Sequence, residues 1–208
     1  MSETAPMSVR PLPDDLLERV DLAAPVFADK GLDATRIDEL ATVTGIPRAT
    51  LYYYFPGKEH ILAHLLSRTL EKISGRLAEA AELSGTGRER LTRVVHAHLA
   101  FISDNGPTYR LLSRELGRVA PLVDIAAGVD NAILAPIRGA LQDGANDGTL
   151  RVSDSSTASS VVHGAVLVVG LQRLVSGSAI SIEEQADTLL EMLLTGFAPV
   201  ESMIEGGR

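Results

Sequence analysis

No cysteine and no tryptophan occur among the 208 residues, and tyrosine and phenylalanine number only four each. Without cysteine there are no disulfides, thiolate metal sites or cysteine nucleophiles, and the cytoplasm is the expected compartment. Long apolar runs are also missing. The most apolar stretch, Val161 to Val175, is interrupted by His163, Gln172 and Arg173, so it reads as a buried helix and no membrane partner is expected. Met1 to Pro13 is polar and proline-punctuated, unlike a secretory leader. No serine sits in a Gly-x-Ser-x-Gly setting, and no glycine-rich phosphate loop is present. Basic charge is scarce: 19 Lys and Arg stand against 27 Asp and Glu, a net charge of −8. Affinity for nucleic acid comes largely from cations at phosphates, so any such role must rest on local arrangement. Within residues 1–60 there are 6 basic and 10 acidic residues, whereas Thr35 to Lys58 carries 3 basic and 2 acidic.

What is abundant is helical periodicity. Leu16, Leu17, Val20, Ala23, Ala24 and Phe27 recur at three- and four-residue spacing, predicting one helix that ends at Gly31 and is kinked at Pro25. Thr35 reads as the N-cap of a short helix carrying Ile37, Leu40 and Ala41. Gly45 ends it, and Pro47 fits the first turn of a third helix. After the turn Phe55-Pro56-Gly57, Lys58 to Leu83 forms a long helix. Further helices are predicted at about 88–103, 108–118, 122–146, 155–175 and 182–198, separated by Gly, Pro, Asn and Ser clusters. The tail Ile204 to Arg208 reads as frayed. No segment alternates apolar and polar residues as a strand would, so the expected fold class is all-α, with about nine helices.

Residues 35–62 carry the main signal. Two short helices joined by a turn at Gly45 form a helix-turn-helix, whose second helix can enter a major groove. Leu40, Val43, Ile46 and Leu51 are spaced to pack the pair together. Arg48, Ala49, Thr50, Tyr52, Tyr53 and Tyr54 then remain around a short recognition helix. Small residues let such a helix sit deep, tyrosine hydroxyls reach phosphate, and arginine can read guanine.

This stretch resembles the TetR family of one-component, ligand-responsive transcriptional regulators. The likeness rests on Phe27, Gly31, Thr35, Ile37, Leu40-Ala41, Gly45-Ile46, Thr50-Leu51-Tyr52, Phe55 and Lys58-Glu59, in that order and spacing, over about residues 14–75. It implies that Thr35, Arg36, Pro47, Arg48, Ala49, Tyr52, Tyr53 and Lys58 occupy positions that meet operator DNA. Two positions depart from the pattern. Tyr54 stands where histidine is common, and Pro47 replaces a serine or threonine that often donates to phosphate, so fewer phosphate contacts are expected there. The implied organisation is a DNA-binding domain over 13–73, with the helix-turn-helix at 36–55. A regulatory domain over 74–200 would follow, dimerising through residues of about 158–198 and binding a small effector. Polar and aromatic candidates for lining the effector pocket are His98, Phe101, Tyr109, Arg114, Glu115, His163 and Gln172.

Two other readings compete. His60 and His64 lie four apart on a helix, a spacing that can chelate one metal ion, but the intervening glutamate of a zinc hydrolase helix is missing. Neither an enzyme nor a cofactor or metal site is therefore expected. A helical homodimer with a degenerate reading head is the other alternative.

Overall fold

The computed structural model describes residues 12–115, 127–177 and 179–195, and among them there are helices and no strands. Expectations placed on 1–11, 116–126 and 196–208, including the leader, Arg118, Phe197 and the C-terminal tail, lie outside the described residues. The chain divides into two compact units, Met1–Arg76 with Asp104–Ile133, and Leu77–Ser103 with Leu134–Arg208.

The first unit starts with α1 (Asp14–Asp21) and α2 (Ala24–Ala34). Pro25 therefore does not kink one helix; it begins a second. Its ring clashes with the carbonyl four residues back, that of Asp21, where α1 stops, and its missing N–H costs nothing in a first turn. Gly31 takes φ 75, a left-handed conformation that interrupts the helical geometry of α2 at the residue where the sequence predicts its end. There follow α3 (Ile37–Thr44), α4 (Arg48–Tyr54) and the long α5 (Lys58–Glu82). The N-cap of α3 is Arg36, not Thr35, and the Glu39 carboxylate accepts a hydrogen bond from the Arg36 N–H at 3.3 Å. Thr35 is buried instead, its hydroxyl donating to the Gly31 carbonyl at 2.7 Å. Phe27, Leu40, Ile46, Leu51, Phe55, Ile61, Leu62 and Leu65 make the core around these helices. From beyond the long helix α7 (Gly106–Glu115) returns to pack along α2, contributing buried Tyr109 and Leu111.

The second unit is built from α6 (Gly87–Asp104), α8 (Ala135–Asn146), α9 (Ser155–Ser176) and α10 (Ile182–Thr195). A π-helical turn over Asp130–Leu134 leads into α8, where the sequence predicts one uninterrupted helix. Pro136 stands in the first turn of α8 and can give no hydrogen bond to Ala132, so the wider turn takes up the lost register. Among the described residues there are ten α-helices and this turn, against about nine helices expected; the split at Pro25 accounts for the extra one. Gly87 and Gly144 let α6 and α8 touch: a Cβ on Gly87 would lie 1.9 Å from the Gly144 nitrogen. Asp147 secures the same corner by accepting from the Gly87 N–H at 2.7 Å. The 22-residue α9 is long and apolar enough by length and composition to cross a membrane, contrary to the expectation that no segment is, and little of it is buried.

Candidate functional site

The reading head is held by apolar residues on its inner side. Leu40, Ile46 and Leu51 are each buried, fixing α4 against α3 and the rest of the unit. Val43, predicted to share this packing, is 41% exposed. Gly45 closes α3 at φ 63, giving the tight turn that the motif needs. With Leu51 facing in, α4 turns Arg48, Ala49, Tyr52 and Tyr53 outward, and Pro47 and Arg36 are exposed beside them. Tyr52 and Tyr53 are 50% and 59% exposed, an unusual cost for aromatic rings on a free surface. Thr50 is half-buried, and the Tyr54 ring meets Tyr53 edge-on at 4.9 Å. Arg48 Nη1 pairs with Asp38 at 2.8 Å, both half-exposed, so the guanidinium is aimed but readily exchanged. Thr35 differs: its hydroxyl is spent inside the fold, and its side chain is not presented on this surface.

Lys58 also has internal work. Its ammonium donates to the Asp33 carbonyl at 3.0 Å and the Thr35 carbonyl at 2.9 Å, closing the end of α2. Arg19 plays the matching part for α3, donating from Nε to the Thr44 carbonyl at 3.1 Å and from Nη2 to the Gly45 carbonyl. Thr44 completes the turn, donating to the Leu40 carbonyl at 2.7 Å and accepting from the Ile46 N–H at 3.2 Å. Sequence reasoning missed Arg19 and Thr44 as positioning residues. An arginine in a surface helix gives no sign of a partner 25 residues on, although a threonine just before a turn glycine is a recognisable local acceptor.

The predicted ligand residues do not converge within one unit. Tyr109 and Arg114 belong to the first unit; His98, Phe101, His163 and Gln172 belong to the second. Tyr109 is buried, which pushes its phenol above the ordinary range, and Arg114 is exposed with its guanidinium beside Gly31. Gln172 is exposed, and the Glu115 side chain lies outside the described residues. His98 and His163 do meet, their rings stacked at 5.3 Å and 5°. His98 is fully buried, and burial, with His163 alongside, holds its pKa down to about 3. Burial lowers His163 as well. Both rings are therefore neutral near pH 7. His60 and His64 recruit no further ligands: among the described residues no group of three or more His, Asp or Glu could hold a metal ion. His64 instead packs its ring 5.5 Å from that of Phe55, and burial lowers its pKa.

Comparison with known proteins falls on the same head. Residues 20–65 match the family model described as bacterial regulatory proteins of the tetR family. The transcriptional activator FasR of Mycolicibacterium smegmatis is 30% identical over 90 residues, which are 43% of this chain and 41% of that protein. The transcriptional repressor KstR2 of the same organism is 30% identical over 109 residues, 52% of each chain. The chain thus spans about half the length of the curated relatives it matches, or less. At the level of fold the likeness extends further. The crystal structure of the TetR family regulator PfmR from Thermus thermophilus superimposes with a TM-score of 0.75 at 24% identity, covering 87% of this chain and 99% of the other. A threonine buried under a turn, an αL glycine between two short helices and an outward tyrosine pair occur within the matched residues, and it is this segment, residues 20–65, that is of the tetR type.

Proposed function

We propose that this chain is a sequence-specific DNA-binding transcriptional regulator that acts as a homodimeric repressor and leaves a palindromic operator when a small, largely apolar ligand binds. The observation that carries the reading is the outer face of α4. Arg48, Ala49, Tyr52 and Tyr53 are exposed together, while Leu51 of the same two-turn helix is buried. A solvated helix face rarely spends two adjacent tyrosines on water; a surface that meets phosphates and base edges has a use for them. The acidic balance of the chain is relieved locally, because Arg36 and Arg48 of this motif are both exposed.

Dimerisation through α9 and α10 is supported by an exposed apolar seam. Val161, Val168 and Val175 follow one another at seven-residue spacing on α9 and are 55%, 62% and 76% exposed, with Met192 of α10 at 46%. That spacing keeps one stripe on one side of a helix, where a second copy of the same helix can cover it. Covering this seam also answers the length and apolarity of α9, which a dimer buries without a membrane. Two heads related by a twofold axis then reach successive major grooves about 34–36 Å apart. The ligand acts by favouring the arrangement in which the heads are wrongly spaced for the operator. Repression needs only occupancy of the operator.

Selection of random duplexes on the purified protein tests the reading. The expected product is a palindrome that represses a reporter when placed over its promoter. Recovery of no enriched sequence, even at low salt, would leave α4 without its proposed partner.

A further inference from the structure

Three consecutive residues at the end of α1 commit to three different parts of the first unit. Val20 is fully buried, and it is the only buried residue among the eight of α1. So little apolar burial leaves the placement of this short helix to its polar contacts. Arg19 reaches the helix-turn-helix, donating from Nε to the Thr44 carbonyl at 3.1 Å and from Nη2 to the Gly45 carbonyl. Carbonyls at the end of α3 have no partner within that helix, and a cation there also meets the favourable end of its dipole. Asp21 reaches α5 instead. Its Oδ1 accepts from Arg68 Nε at 3.2 Å and its Oδ2 from Arg68 Nη2 at 3.3 Å, and Oδ2 also accepts from Lys72 Nζ at 2.8 Å.

The Asp21 and Arg68 side chains are only 28% and 22% exposed, so salt screens this pair less than a surface bridge. Its two-pronged geometry belongs to the stronger class of charge-assisted bonds. Residues two apart on a helix stand about 200° around it from one another. Arg19 and Asp21 therefore face different sides, and α1 spans from the turn to α5. Gly45 caps α3 just before α4 begins at Arg48, so holding the carbonyls of Thr44 and Gly45 fixes where the recognition helix starts. A carboxylate has the wrong sign for phosphate, and Asp21 can act on DNA binding only through what it holds. We infer that Asp21 is a positioning residue for DNA reading: by clamping α1 to α5 it keeps Arg19 on the Thr44–Gly45 turn, and so sets how α4 presents Arg48, Tyr52 and Tyr53. Its effect on the operator rests on the DNA-binding reading; its effect on the turn does not.

Hydrogen exchange of the free full chain and operator binding, each compared between wild type and Asp21→Asn, test the two effects. The Ile46 N–H, which donates to the Thr44 hydroxyl at 3.2 Å, reports on the turn. It is expected to exchange about fivefold faster in Asp21→Asn, while amides of α8 in the other unit keep their rates. At a temperature well below the Tm of either protein, affinity for the selected operator should fall about tenfold. Affinity for a non-operator duplex should stay the same or rise, because the variant has lost a negative charge. Adding Arg19→Gln to Asp21→Asn should weaken operator binding less than Arg19→Gln does alone, since both act through one strap. Unchanged exchange at Ile46, equal operator affinity in the two proteins, or the same fold loss on both duplexes would each overturn the assignment. A wild type that selects no operator would count against the DNA-binding reading instead, and exchange would still decide whether Asp21 holds the turn.

Discussion

At the scale of single residues, the head separates cations that present themselves from cations that hold the fold. Arg48 is paired only with an exposed carboxylate on the neighbouring helix, and such a surface pair contributes about 0–1 kcal/mol. Exchanging Asp38 for a phosphate or a guanine edge therefore costs little. Lys58 is engaged by two carbonyls at the end of α2. Its removal is expected to do two things where a pure phosphate contact would do one. Lys58→Ala should lower stability by about 1 kcal/mol as well as weaken operator binding, and thermal melts of the free protein distinguish the cases. An unchanged Tm would restore a DNA-only role. His98 supplies a second prediction at this scale. Its pKa in the folded protein, about 3, lies below the ordinary 6.5, so the folded state binds fewer protons than the unfolded chain between those values. Stability is thus unaffected by this group above pH 6.5 and falls as pH drops toward 3, with a slope approaching about 1.4 kcal/mol per pH unit. His98→Gln, which takes up no proton, should flatten the acid limb of a Tm-against-pH curve; an identical limb would show that other groups govern it.

At the scale of elements, one close contact decides where two helices lie. Gly87 and Gly144 bring α6 against α8, and a Cβ at position 87 would enter backbone 1.9 Å away, which no rotamer change relieves. Gly87→Ala should therefore cost more than about 2 kcal/mol in denaturant unfolding, whereas Gly139→Ala on the same α8, with open space around it, should cost nothing or stabilise slightly. Much of the element order was legible because helical periodicity is local: the turn at Gly45, the start of α5 at Lys58 and the start of α9 at Ser155 all stand where the sequence puts them. The misreadings have physical causes. Pro25 sits inside an unbroken apolar stripe, and the stripe continues because α1 and α2 face one core, even though proline starts a new helix there. Thr35 has the right type for an N-cap, but tertiary packing buried it and left the cap to Arg36 and Glu39. The π-helical turn before Pro136 has no compositional mark other than the proline itself. Apolar spacing identified the inner face of the helix-turn-helix at Leu40, Ile46 and Leu51, and with it the outer face; it could not tell which cations are consumed by distant carbonyls, because Arg19 and Lys58 meet partners 23 to 26 residues away. Spacing also could not say which ligand candidates share a unit: Tyr109 and Arg114 fall in one, and His98, Phe101, His163 and Gln172 in the other.

At the scale of the whole molecule, the account requires two copies. The valine seam of α9 is exposed in a single chain, and a charge placed in it should prevent association without disturbing the fold of either unit. Val168→Glu is expected to sediment as a monomer at concentrations where the wild type is a dimer, and to lose operator affinity because one head alone reads half the site. A dimer that survives this substitution would place the interface elsewhere. The central claim is that the exposed face of α4 reads DNA. Equilibrium binding of the selected operator duplex, titrated against salt for wild type and for the Arg48→Ala, Tyr52→Ala double variant, tests it most directly. The account predicts that log affinity falls linearly with log salt, at roughly 0.9 per phosphate neutralised, and that the double variant binds at least tenfold more weakly. Equal affinity and an equal salt slope in the two proteins would contradict it.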